Sequence, residues 1–292
     1  MNNLTAINNL SRSGEWAISD RGFMNFLTRD RVEAAQLIKD VTPEAKLNKT
    51  ETEYVRSCLA INFNQRQPIH VEIGFAFIHI YGALLNDASP LDLGMGNTDY
   101  QEIIEDIEEA ESNDAIHTVI FCVDSPGGMV SGMLEAANAI NSMSKKTVGY
   151  IEGYATSAAY ALVSQCGEVV ASASSTSGNI GTVLSWSDMS KYFEMIGITE
   201  HVITNDGADL KGTFIENPMS ESQKNFLKDR ITQLGDEFWQ LVKAVRPQVD
   251  DECKRAGWYQ PNDAGRLGLI DMTATKAELI DYLSENIDSN QP

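Results

Sequence analysis

Basic side chains are scarce in this chain. In 292 residues, 22 Lys plus Arg stand against 42 Asp plus Glu, for a formal charge of −20. A groove that follows phosphates, or a face that lies on anionic lipid, needs clustered cations, so nucleic-acid binding and membrane-surface binding are poor first readings. Long apolar runs are also missing: the longest candidate, Ile73 to Leu85, carries His79 and Tyr81 and falls short of the eighteen or so residues of a membrane span. The first thirty residues lack a basic start followed by an apolar block, so no secretory signal is expected and the protein reads as soluble and cytosolic. The four cysteines, Cys58, Cys122, Cys166 and Cys253, form no C-x-x-C pair, which removes the usual zinc and dithiol signatures and leaves reduced thiols as the expectation. Histidine is limited to His70, His79, His117 and His201.

What is present is ordinary globular composition, 42% hydrophobic and 22% charged, in a chain long enough for one large domain with appendages. Residues 1–68 are polar and weakly periodic, with one helix expected around Arg31 to Lys39 and Pro43 soon after; they read as an arm of unknown function. A core domain is expected over 69–275, and a C-terminal helix and tail over 276–292.

Within the core domain, short apolar runs predict strands at Phe75–Ile80, Thr118–Val123, Thr147–Ile151, Val169–Ala171 and His201–Thr204. Between them, helical spacing predicts helices at Tyr100–Glu111, Gly132–Met143 and Ser157–Gln165. Strands alternating with helices at this spacing imply crossover units and a mostly parallel sheet covered on both faces, an α/β fold. Ser220 with Gln223 three residues on has the form of a capping box. It opens a long helix carrying Phe226, Leu227, Ile231, Leu234, Phe238, Trp239 and Val242 at helical spacing, a surface for the domain or for a neighbouring subunit.

Three segments at predicted strand ends have the chemistry of a site, and open parallel sheets place ligands at such ends. Asp124-Ser125-Pro126-Gly127-Gly128 can turn backbone N–H groups toward an oxyanion, or can be a plain Pro-Gly turn. Ala155-Thr156-Ser157-Ala158-Ala159-Tyr160 offers an unobstructed serine hydroxyl at a helix start, or simply small residues for close packing. A nucleophilic serine needs a base. None of the four histidines falls in a loop of small or acidic residues, so a Ser-His-Asp triad has little support, although geometry decides it. The loop Thr204 to Gly212 holds Lys211, which is either a solvated amine or, if covered, a base. An ordinary lysine with a pKa near 10.4 is neutral in only about one molecule in two thousand at pH 7, so a lysine base has to be buried.

The order of these motifs resembles the signal peptide peptidase A family of Ser-Lys serine peptidases, which includes the head-maturation proteases of tailed phages. The resemblance runs from Phe75 to Asp271 and rests on D-S-P-G-G at 124–128, A-T-S-A-A-Y at 155–160, G-N-I-G at 178–181, G-x-x-x-K ending at Lys211, and N-D-A-G-R-L-G-L-I-D at 262–271. It implies Ser157 as nucleophile, Lys211 as general base, and Gly128 with Gly127 as oxyanion donors, with Asn179 and Gly181 in support and no metal or cofactor. It also implies a fold like that of ClpP and the crotonases. Two departures stand out. Asn179 replaces the serine of the common G-S-I-G, where an amide oxygen can equally accept from a lysine, and the lysine loop is one residue longer than G-x-x-K, which leaves its register open.

The resemblance further implies a closed homo-oligomer in which the serine and the lysine of one site can come from neighbouring subunits. It implies a polypeptide substrate bound as an extended strand, and a role in processing capsid scaffold or portal proteins in the host-cell cytoplasm or inside an assembling capsid. Two rivals stay open. One is a catalytically inactive assembly or scaffolding module of the same fold. The other is a crotonase-type acyl-CoA enzyme, which would need cations for the CoA phosphates that this chain has in short supply.

Overall fold

A computed structural model of the chain describes residues 16–18, 70–72, 74–213 and 218–287. The helix expected at Arg31 to Lys39, the residue Cys58 and most of the 1–68 arm lie outside the described residues. In chain order the elements are β1 (Trp16–Ile18), β2 (His70–Glu72), β3 (Phe75–Leu85), α1 (Pro90–Gly94), β4 (Thr98–Asp99), α2 (Tyr100–Ser112), β5 (Thr118–Met129) and α3 (Met133–Asn141). Then come β6 (Lys146–Thr156), α4 (Ala158–Val163), β7 (Glu168–Ala171), β8 (Thr176–Gly178), α5 (Ser190–Met195) and a 3₁₀ turn at Asp209–Gly212. The chain continues through α6 (Glu221–Val245), a 3₁₀ turn at Asp251–Arg255, β9 (Trp258–Tyr259), α7 (Pro261–Arg266), β10 (Met272–Thr273) and α8 (Lys276–Ile287).

The sheet runs in the order β10-β7-β6-β5-β3-β2, and every pairing from β10 to β3 is parallel, with β2 antiparallel at the edge. Residues on a strand alternate between faces, which gives the sheet two apolar layers. On one face Ile78, Ile80, Val119, Phe121, Val123 and Ile151 pack under α2, α3 and α4, joined by Phe238, Trp239 and Val242 of α6. On the other, Phe75, Phe77, Ile120, Val148, Tyr150 and Val170 meet Leu279 and Leu283 of α8. Burial on both faces is why β3, β5 and β6 read as unbroken apolar runs. Cys122, Cys166 and Cys253 are free thiols in this interior, as expected. Among the described residues no helix is long and apolar enough to cross a membrane.

The helices follow local chemistry. Asp99 caps α2 by accepting from the Gln101 N–H at 2.7 Å, and Ile103, Ile107 and Ala110 are its buried stripe. Ser220 and Gln223 form the expected capping box of α6. Of the seven apolar positions expected on that helix, Leu227, Leu234, Phe238, Trp239 and Val242 are buried while Phe226 is exposed.

Two expectations need correction. The His201–Thr204 segment is not a strand: residues 201–205 have no regular structure and are exposed, with Ile203 at 94% of its full accessible surface. The apolar pair Val202-Ile203 is there, but among the described residues no strand pairs with it. Conversely, D-S-P-G-G is not a turn. The strand predicted to stop at Val123 continues through Met129, because β3 pairs with it at Ala83↔Gly127 and Leu84↔Gly128. Partner strands on the flanks outweigh the turn preference of Pro and Gly.

Candidate active site

The site lies where β5 and β6 separate. The two strands pair in parallel up to Val123↔Ile151, slip, and meet once more at Ser125↔Ala155. Beyond that, β6 pairs on its other side with β8, through Tyr154↔Thr176, Ala155↔Ser177 and Thr156↔Gly178. Ser157 follows immediately. It is fully buried and sits at φ 59°, ψ −126°, a conformation that an L-residue adopts only under compulsion. The compulsion is visible on both sides: the Ser157 N–H donates to the Gly178 carbonyl at 2.8 Å, and the Ala161 N–H takes the Ser157 carbonyl at 3.0 Å to open α4. The side-chain oxygen donates to the Gly181 carbonyl at a long 3.4 Å. A strand ending in a strained serine that starts a helix is the local geometry of a presented nucleophile.

Close packing is what holds this position. All six residues of α4 are buried, and a Cβ on Gly149 of β6 would stand 2.1 Å from Val163 Cγ2. The small residues therefore bring α4 down on the sheet and hold Ser157 at the strand end in the same stroke.

The β5 extension is pinned just as tightly. Ser125 Oγ donates to the Gly82 carbonyl at 2.6 Å and accepts from the Gly127 N–H at 3.1 Å. The Gly127 amide is thus already engaged, and Gly128 lies in register with Leu84 of β3. Tyr100 Oη donates to the Met129 carbonyl at 2.7 Å and holds the strand end from the α2 side.

Asn179 sits at φ 55°, in the left-handed region that Asn tolerates better than Ser. Its N–H donates to the Gly257 carbonyl at 2.6 Å and its Nδ2 to the Ala256 carbonyl at 2.8 Å. The left-handed backbone here suits Asn, whose side chain is engaged through Nδ2.

Lys211 lies elsewhere. It is exposed on the 3₁₀ turn at Asp209–Gly212, whose Asp209 carbonyl accepts from Gln223 Nε2 at 3.1 Å and so rides on the start of α6. No hydrogen bond joins it to Ser157. The chain brings Ser157, Gly128 and Gly181 to one end of the sheet and leaves Lys211 outside in solvent. Around Lys211 the segment 186–210 exposes Trp186, Met195, Ile196, Ile198, Ile203 and Leu210. Of the histidines, His117 and His201 are exposed, and His79 Nδ1 contacts Tyr81 Oη at 2.9 Å in a cluster with Glu152.

Gly181, expected in support, meets Ser157 through its carbonyl, and two features were not named from sequence: the Ser125 hydroxyl as a brace and the amide of Ala158. The last opens α4, where first-turn N–H groups have no intrahelical acceptor. Its only sequence signal is its place directly after the serine.

The model of Peptidase family S49 matches residues 139–290, and that of Clp protease matches 75–177, the span from β3 to β8. The chain is 24% identical over 237 residues to capsid assembly protease C of Escherichia phage lambda, covering 78% of this chain and 52% of that one. It is 25% identical over 249 residues to Protease 4 of Salmonella typhi, covering 82% and 38%. Among solved structures, ClpP1 of Listeria monocytogenes aligns at TM-score 0.45 and 10% identity, over 69% of this chain and 92% of that one. The chain spans about half or less of the length of these two sequence relatives.

Proposed function

This chain belongs to peptidase family S49, and we propose that it is a serine endopeptidase in which Ser157 is the nucleophile and Lys211 the general base. The observation that carries the reading is the strained backbone of Ser157 at the end of β6. Holding a residue in such a region costs about 1–3 kcal/mol and persists where function requires it.

The chemistry follows from the neighbours. Ser157 Oγ attacks the carbonyl of an extended peptide while Lys211, in its neutral form, takes the hydroxyl proton and returns it to the leaving amine. The oxyanion is held by the Gly128 N–H and by the amide of Ala158 at the first turn of α4. Water then releases the acyl group.

A lysine serves as base only when neutral, and burial is what makes it so. Because the single chain leaves Lys211 exposed, the active form is a homo-oligomer in which a second copy packs on the apolar segment 186–210, covers Lys211 and brings it to a Ser157. Exposed large apolar side chains gathered in one segment favour an interaction surface. The physiological substrate is a capsid scaffold or portal polypeptide, a reading supported by the phage relative.

Incubation with a fluorescently labelled unfolded protein tests the proposal. Ser157→Ala is expected to lose activity by a factor on the order of 10⁴–10⁶. Lys211→Ala is expected to be equally inactive, His201→Ala to retain activity, and Ile203→Asp to lose both activity and self-association. Equal cleavage by wild type and Ser157→Ala would refute the peptidase reading and favour an inactive assembly module.

A further inference from the structure

Where β6 leaves β5 to pair with β8, the free flank of β5 at Gly127–Met129 is not empty. The chain's own β1 lies there, antiparallel, with Trp16↔Met129, Ala17↔Gly128 and Ile18↔Gly127 in register. β1 also lies against α4, the helix that begins on the residue after Ser157. A peptide presented to Ser157 has to run beside the strand that carries the Gly128 amide, and an extended peptide binds a sheet edge by adding a strand to it. The N-terminal segment thus takes the position that the substrate requires. Ser157, one residue before that helix, is fully buried.

We infer that Trp16–Ile18 is an internal pseudosubstrate: a tethered strand that competes with substrate for the Gly127–Met129 edge and restrains the enzyme until it is displaced. The inference rests on the peptidase reading for its consequence, but the occupancy of the edge does not. A segment carried on the same chain competes at an effective rather than a bulk concentration, up to the order of millimolar. A three-residue strand of millimolar intrinsic affinity would then occupy the edge much of the time and raise the apparent KM by about two- to tenfold. Such a clamp is strong enough to matter and weak enough for a good substrate to displace.

The experiment compares three proteins: the full chain, a chain starting at residue 19, and the full chain carrying both Ala17→Pro and Ile18→Pro, since proline cannot donate to a strand ladder. With a fluorogenic peptide, both altered forms are expected to show a KM lower by about two- to tenfold with kcat retained. A synthetic peptide of residues 12–22 is expected to raise the KM of the shortened chain competitively. Equal KM in all three forms and no inhibition by the peptide would overturn the inference.

A second readout is independent of catalysis. In the Ser157→Ala background, backbone hydrogen exchange across Gly127–Met129 is expected to be faster in the shortened and proline forms than in the full chain. Equal exchange would overturn the inference whether or not the protein hydrolyses anything. Faster exchange together with absent hydrolysis in every form would support the strand and count against the peptidase reading alone.

Discussion

A Cβ added to Gly128 would stand 1.9 Å from the carbonyl oxygen of Leu84, because β3 and β5 approach backbone to backbone at this pair. A flexible side chain could give way, but a strand in the middle of a sheet cannot. Gly128→Ala is therefore expected to cost about 3 kcal/mol, as overpacking against fixed backbone does, and to abolish peptide hydrolysis by moving the oxyanion amide. A urea titration and a peptide assay on the same preparation check both halves. Unchanged stability with lost activity would mean that the strand yields and the close approach is not structural.

The strain at Ser157 predicts a trade between stability and activity. Ser157→Gly and Ser157→Ala both remove the nucleophile, but only glycine relaxes at φ 59°, ψ −126°. The glycine variant is expected to be more stable than the alanine variant by about 1 kcal/mol, measured as a shift in denaturant midpoint at constant slope. An alanine variant as stable as the glycine one would mean that the turn stores no strain.

Arg246 and Asp271 form a two-pronged pair, Nη2 to Oδ1 at 2.7 Å and Nη1 to Oδ2 at 3.1 Å, with the arginine almost wholly buried and Asp271 at 39% exposure. The same carboxylate accepts from the Val169 N–H at 2.7 Å. It joins the end of α6 to β7, and this is the structural role of the closing aspartate in N-D-A-G-R-L-G-L-I-D. Asp271→Asn leaves the guanidinium buried without its counter-charge and is expected to cost about 2–3 kcal/mol, below the usual 3–5 for a fully buried pair because the carboxylate is partly solvated. Arg246→Met is expected to cost less, since it removes the buried charge itself. Urea denaturation of the two variants, with the order reversed, would show that the charge is better solvated than its burial indicates.

Acid is expected to loosen α8. Burial disfavours the charged form of Glu152, but Tyr81 Oη at 2.7 Å and Lys276 Nζ at 3.1 Å outweigh it, and the carboxyl is held below the usual glutamate range. A carboxyl lowered in the folded state contributes stability that is fully present above the unfolded value, near pH 4.3, and is lost as pH falls through the folded value. Backbone exchange in Lys276–Ile287 is therefore expected to accelerate below about pH 4 in the wild type, and this step is expected to be absent in Glu152→Gln. An identical acid response in both proteins would remove Glu152 as the group responsible.

Much of this architecture was legible from local pattern. The unbroken apolar runs at Phe75–Ile80 and Thr118–Val123, the stripe of Ile103, Ile107 and Ala110, and the Ser220–Gln223 box depend on neighbours a few residues away, so periodicity and capping chemistry suffice to find them. The D-S-P-G-G segment was ambiguous for the opposite reason: Pro126 and Gly127 favour a turn in isolation, and only β3 on one flank and β1 on the other draw them into a strand.

The sequence by itself determined that the chain is an acidic α/β protein with a serine, a glycine pair and a lysine arranged in an S49-like order, because residue type and spacing are properties of the chain. Only the tertiary structure decided that Ser157 is strained, that the Gly127 amide is taken by Ser125, that Lys211 stands apart in solvent, and that β1 lies across the edge beside Gly128. Each of these depends on which distant segments meet, and that is governed by sheet pairing and burial summed over the whole fold, which no local window contains.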